Sequence, residues 1–202
     1  MIGYYGNVDT DKPHYVIWSG GCDSTLILAE VARKYGSVNN PIKSISLQNP
    51  FIANNKLLAE QRQRDSILGE LKKRGLHIQN TTISFSEEGD HYYPQQNGLP
   101  QAFLWIAQSL IYVGSDNIHF GYIRTDDFWQ FKNDVLRAID ALGDILGTNP
   151  RVNLPLQYST KSEIIKELKA QNLYHLIWYC ESPITDEKPC YNCTPCRTHM
   201  GA

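Results

Sequence analysis

The stretch Ser19-Gly20-Gly21-Cys22-Asp23-Ser24 follows an apolar run, Tyr15 to Trp18, and opens a helix-patterned run, Thr25 to Tyr35. Small residues between a strand and a helix let backbone N–H groups come close to a phosphate, and the helix dipole adds partial positive charge at the same point. The stretch therefore reads as a phosphate cradle. The usual nucleotide loop GxxxxGK[ST] and the dinucleotide fingerprint GxGxxG are both missing from the sequence, which narrows the chemistry. The plain alternative is a glycine turn in which Asp23 or Ser24 caps the helix.

Outward from this turn, short β-rich runs alternate with longer helical patterns, which implies a parallel sheet covered by helices. The expected order is a strand His14 to Trp18, a helix Asp23 to Tyr35 with Gly36 as a left-handed C-cap, and a strand Ile42 to Leu47. A long helix from about Asn54 to Arg74 follows, stopped by Gly75; its polar centre, Glu60 to Asp65, predicts a solvated face. His77 to Phe85 alternates like a third strand, and 86–98 reads as a polar loop whose Glu87, Glu88, Asp90 and His91 suit a solvated surface. Pro100 suits the first turn of a helix, and Ala102 to Val113 is apolar almost all round, which predicts burial under the sheet. Asn117 to Tyr122 reads as a fourth strand, and the charged loop beyond it offers Tyr122, Arg124, Asp126 and Asp127 as substrate or metal contacts, because ligands of open α/β sheets sit outside the carboxyl ends of strands. Phe128 to Leu146 is a further helix, Val152 to Leu156 is extended, and Thr160-Lys161-Ser162-Glu163 is a capping box starting a helix from Lys161 to Ala170.

At 202 residues the chain suits one ordinary domain, or one with a small appendage, and a formal net charge of −2 gives no electrostatic reason to expect nucleic acid as the main partner. No apolar stretch approaches the roughly 18 to 20 residues that span a bilayer, and Met1 to Lys12 is unlike a signal peptide, so a cytoplasmic location is the expectation. Four of the five cysteines, Cys180, Cys190, Cys193 and Cys196, crowd into the C-terminal segment. Disulfides are rare in a reducing cytosol, so the clustering points to metal. Four thiolates at about 2.3 Å satisfy a structural, tetrahedral Zn²⁺. An iron–sulfur cluster takes the same ligands, and a redox or sulfur-transfer role for the CxxC pair is the functional rival. His199 could replace one sulfur, although its position near the terminus suggests that it faces solvent. Cys22 sits where a helix N-terminus lowers a thiol pKa, but a small packing residue is the simpler reading.

The SGGxDS turn resembles that of the N-type (PP-loop) ATP pyrophosphatases, which split ATP between its α and β phosphates and adenylate a substrate oxygen. Together with a C-terminal Cys-x9-Cys-x2-Cys-x2-Cys, the chain is similar to the 7-cyano-7-deazaguanine synthase (QueC-like) family over roughly His14 to His199. Leu99-Pro100 before a helix, Gly121-Tyr122 after a strand, and Pro155 followed by Lys161 in a Lys-x-Glu-Ile-Ile start match as well. The resemblance implies a Rossmann-like α/β fold of the adenine nucleotide alpha hydrolase type, with helices on both faces of the sheet. It places the ATP pyrophosphatase domain at 1–175 and a zinc-binding segment, packed on the same domain, at 176–202.

By the same resemblance, Ser19, Gly20, Gly21, Cys22, Asp23, Ser24 and Thr25 bind ATP with its Mg²⁺, and Asp23, Ser24 and Lys161 act in catalysis. Family enzymes convert 7-carboxy-7-deazaguanine to a nitrile with ATP and ammonia, through an acyl adenylate and an amide, and related enzymes often form homodimers. The substrate side departs from the family pattern. Gln101-Ala102 stands in place of Arg-Asn, Leu47-Gln48-Asn49-Pro50 in place of a Tyr-Gly-Gln-Arg-like loop, and 121–127 in place of Gly-Tyr-Pro-Asp-Cys-Arg. These changes bring two alternatives into view: a QueC-like enzyme of an antiviral operon that joins a deazapurine to an amine of a partner protein, and a nucleotide-binding scaffold without catalysis.

Overall fold

A computed structural model describes residues 8–48, 54–84 and 101–200. Among them five strands, β1 (His14–Ile17), β2 (Ile42–Gln48), β3 (Ile78–Ser84), β4 (Asn117–His119) and β5 (Arg151–Asn153), form one parallel sheet in the order β3-β2-β1-β4-β5. Parallel neighbours need helical crossovers, and these are α1 (Cys22–Tyr35), α2 (Asn54–Lys73), α3 (Gln101–Val113) and α4 (Lys132–Leu146). Two further helices, α5 (Lys161–Ala170) and α6 (Thr194–Met200), complete the described set. This is the Rossmann-like arrangement read from the sequence.

Alternation along β1 builds two cores. Val16 and Trp18 join Ile42, Ile78 and the inner faces of α1, α2 and α5, while Tyr15 and Ile17 join Ile45, Ile118 and the inner faces of α3 and α4. The helices thus cover both faces. Strand order reverses at β1, so β1 and β4 flank the crevice where ligands of such sheets bind. The Ser19 to Ser24 turn lies at that point.

Several local expectations change. Gly36 is extended (φ −75°, ψ 139°) rather than left-handed; it is needed because a Cβ there would stand 2.6 Å from the Ala32 carbonyl oxygen. Gly75 does take a left-handed conformation, φ +78°. β4 ends at His119, although the Phe120 amide still donates to the Asn153 carbonyl at 3.0 Å; an ideal Cβ on Gly121 would stand 3.0 Å from the Ser24 amide nitrogen, so the strand end is packed against the start of α1. Residues Asp127–Gln130 form a 3-10 turn ahead of α4, with Phe128 buried against Tyr122. Helix α3 is not buried all round: Ile106, Leu110 and Val113 face the core, whereas Ile111 and Tyr112 are exposed. Asn49, Pro50, Phe85 and the 86–100 stretch, including its acidic loop and Leu99-Pro100, lie outside the described residues.

Candidate functional site

The turn after β1 leaves the start of α1 open. Its N-cap is Gly21, in an extended conformation and without a side-chain capping bond, so neither Asp23 nor Ser24 plays the capping role. Uncapped first-turn N–H groups are the donors that an anion takes. Gly20 adopts φ +89°, which favours glycine, and reverses the chain above β1. The turn is braced from within: Ser24 Oγ accepts from the Ser19 amide (3.2 Å) and lies 3.1 Å from Ser19 Oγ, which in turn accepts from the Gly21 amide (3.2 Å).

Asp23 and Lys161, 138 positions apart, meet across this turn, with Lys161 Nζ donating to Asp23 Oδ2 at 2.7 Å. The capping box at Thr160 and Glu163 is formed and fixes the start of α5, which sets Lys161 in place. Burial alone would lower the Lys161 pKa, but the Asp23 carboxylate, helped by Cys22 and Asp126, outweighs it and holds the ammonium above its ordinary value. The other carboxylate oxygen, Asp23 Oδ1, is buried with no hydrogen-bond partner. A buried anionic oxygen left over beside a phosphate cradle suits a divalent cation such as Mg²⁺.

A cavity of about 580 Å³, the size of a nucleotide-scale ligand site, opens in front of the turn. Ser19, Gly21, Cys22, Asp23, Asp126 and Lys161 line one side. The C-terminal segment adds Trp178, Tyr179, Cys180, Glu181, Thr194 and His199 to the lining. Lys56 and Glu60 of α2 line it as well.

Other residues singled out in the sequence fall differently. Thr25 turns away: it is fully buried and its hydroxyl accepts from the Trp18 indole at 2.9 Å. Cys22 is buried, and desolvation drives its thiol up to about 12 despite Lys161, overriding the helix terminus and leaving a packing residue. Asp126 lines the cavity, but its Oδ2 accepts from the Ile123 amide at 2.8 Å. Tyr122 stacks on Phe128, with ring centroids 4.0 Å apart, beside a smaller cavity under the turn. Arg124 is exposed and lines neither cavity. The side chains of Gln101 and Asp127 lie outside what the structure describes.

The sulfurs of Cys180, Cys190, Cys193 and Cys196 lie within 4.8 Å of one another, with Cys190 and Cys196 3.8 Å apart. Four sulfurs bound at about 2.3 Å to one tetrahedral ion are about 3.8 Å apart, so the set fits a single ion and could hold zinc. A four-iron cube, in which each thiolate takes its own iron, needs wider spacing. Backbone amides of Asn192 and Cys193 donate to Cys190 Sγ and pull its pKa down to about 6, which readies one thiolate for metal. His199 is not a fifth candidate ligand at the surface. It is buried, stacked on Tyr179 (centroids 4.3 Å apart), bonded through Nδ1 to the Tyr174 hydroxyl at 2.7 Å, and 3.8 Å from Cys22 Sγ through Nε2.

Sequence reasoning missed the α2 wall. Lys56 and Glu60 line the cavity, and Arg64, four positions on along the same helix face, is 1% exposed, while the expected solvated face is present at Asp65. The i, i+4 spacing of alternating charges was the available signal. Tyr179 and His199 were likewise hidden, since only the folded tail brings them to the cavity.

No protein-family model matches the chain, and no curated protein matches it either. Among solved structures, it is similar in fold to a 4-thiouridine synthetase, solved as an RNA complex with bound ATP, at 16% identity and a TM-score of 0.57 over 96% of this chain and 50% of that one. It is also similar to the U34-tRNA thiolase NcsA from Methanococcus maripaludis, solved with its [4Fe-4S] cluster, at 14% identity and a TM-score of 0.58, covering 96% and 66% of the two chains. The chain thus spans half the length of the first and under two thirds of the second. The fold these likenesses show is the Rossmann-like α/β fold, a parallel sheet covered by helices.

Proposed function

We propose that the chain is an ATP-dependent enzyme of the ATP pyrophosphatase type, which cleaves ATP between its α and β phosphates to adenylate a carboxylate of the 7-deazaguanine class and passes the acyl group to ammonia. One observation carries the reading: an uncapped helix N-terminus at the strand-order reversal, with the Asp23–Lys161 pair beside it and Asp23 Oδ1 left over. Bound Mg²⁺ would supply charge neutralisation of the polyphosphate, with Asp23 holding it. Lys161 stands where one ammonium can follow negative charge onto the leaving pyrophosphate. Activation is needed because a carboxylate is a poor electrophile, and AMP is a good leaving group. The ATP bound in the 4-thiouridine synthetase structure supports ATP as the nucleotide. The four cysteines would hold a structural Zn²⁺ that shapes the cavity wall and takes no part in chemistry.

A second reading, in which the activated acid goes to an amine of a partner protein, is favoured by one feature. Arg124, a residue assigned to substrate by position, is exposed and lines neither cavity, which supports an acceptor brought from outside the chain.

Incubation of the purified protein with ATP, Mg²⁺ and 7-carboxy-7-deazaguanine, with and without ammonium, tests both. Mass spectrometry is expected to show pyrophosphate and an adenylate without ammonium, and amide or nitrile with it. A protein adduct with neither amide nor nitrile would favour the second reading. No pyrophosphate under any condition would remove both and leave a nucleotide-binding scaffold.

A further inference from the structure

Among the described residues Arg64 is the buried member of the Asp, Glu, Lys and Arg set, and it lies directly behind the phosphate turn. Its Nη1 donates to the Ser19 carbonyl at 3.2 Å, its Nη2 donates to Gln61 Oε1 at 3.1 Å, and the Glu60 carboxylate stands 3.7 Å from Nη1. Its Nε is buried with no hydrogen-bond partner. Its Cγ lies 2.9 Å from the place a Cβ on Gly20 would occupy, so Gly20 is required both by φ +89° and by this contact.

Filling that space does not call for a guanidinium. Burying a charge costs free energy that packed methylenes do not, and an apolar side chain of similar volume would fill the same space. What the guanidinium adds is direction and charge. It draws the Ser19 carbonyl into the protein, so that oxygen's lone pairs do not face an incoming anion, and it sets a cation beneath the turn without touching the ligand. Donors fixed in advance need no reorganisation when the anion arrives.

We propose that Arg64 is a positioning residue for the phosphate-binding turn, holding Ser19 and Gly20 in the conformation that receives a polyphosphate, with Glu60 orienting it. The assignment rests on the reading of the turn as an ATP site. It adds a residue that the SGGxDS stretch does not contain.

The test compares affinities for Mg·ATP and for adenosine, which lacks phosphates, by calorimetry on the wild type, Arg64→Leu and Arg64→Lys, with thermal melts to verify folding. Leu is expected to weaken ATP about 10-fold or more and Lys about 3-fold, with adenosine changed less than about 2-fold. A general packing role would move ATP and adenosine together, and that parallel shift would overturn the assignment. So would unchanged ATP affinity in either folded variant. Should Leu fail to fold, the Lys variant decides alone, since it keeps the charge and loses the fork. A wild type that does not bind ATP overturns the ATP reading itself, and this assignment with it.

Discussion

Asp23 divides its two oxygens between two tasks, one bound to Lys161 and the other buried without a partner. Because Lys161 is held above its ordinary pKa, it stays an ammonium throughout the neutral range, available to transition-state charge at any working pH. Lys161→Met is expected to slow pyrophosphate release by about 10²- to 10³-fold while weakening ATP binding less than about 10-fold, the pattern of a group that acts on developing charge. Steady-state rates and direct ATP titration separate the two effects; an equal loss in both would restrict Lys161 to ground-state binding. The sequence placed both partners on their elements, through a glycine turn after a strand and a capping box, while the role expected of Lys161 came from the family resemblance. The orientations of Thr25 and Arg64 were not legible in this way. Whether a helix residue faces the ligand, the indole of Trp18 or the back of a turn depends on the angle between elements, which no single window encodes.

At the scale of elements, β1 and β4 are joined at the sheet centre by a pair of buried histidines. His14 Nδ1 lies 3.1 Å from His119 Nε2, the rings stack at 5.3 Å, and Tyr35 of α1 stacks on His14 at 4.2 Å. Desolvation lowers His14 to about 4 and His119 to about 3, the second also because the first lies beside it. Folded pKa values below the unfolded value of about 6.5 mean that the unfolded chain binds the extra protons. Their contribution is therefore complete above about pH 6.5 and is lost as the pH falls towards 4 and then 3. Each histidine should steepen the acid-side loss of stability by about 1.4 kcal/mol per pH unit. Urea unfolding at pH 7, 6 and 5 checks this: the double variant His14→Gln, His119→Asn should show a shallower dependence, and an unchanged slope would contradict it. The elements themselves were legible wherever one period dominated, as in α1 and α5. They were less legible where sequence pattern and environment part: in α2 the expected solvated face is present at Asp65, but Arg64 beside it turns inward, and in α3 the apolar surface is partly exposed.

For the whole molecule, the four-cysteine segment is as much a part of the cavity as the phosphate turn, though the two lie at opposite ends of the chain. α2 ties the segment down through ion pairs from Lys56 to Glu181 and from Arg62 to Asp186 and Glu187, and Asn55 donates to the Ile184 carbonyl at 3.2 Å. Exposed pairs of this kind contribute little each, so they align the segment rather than fold it. Its own apolar interior is small, with Ile177 and Cys180 buried in irregular chain and Cys196 buried in the short helix α6. The proposed metal would therefore supply most of its ordering, because a site that forms only on folding returns its binding free energy as stability. Cys193→Ala should take bound metal from about one ion per chain to none, and a loss of several kcal/mol in a chain of this size lowers the melting temperature by on the order of 10 °C. Elemental analysis and a thermal melt read both. Because Trp178, Tyr179 and His199 leave the cavity with the segment while Asp23 and Lys161 do not, the same variant should lose acceptor-dependent turnover more than ATP binding. Full metal content in Cys193→Ala would overturn the four-cysteine assignment, and an equal loss of ATP affinity would show that the phosphate turn depends on the segment for its shape.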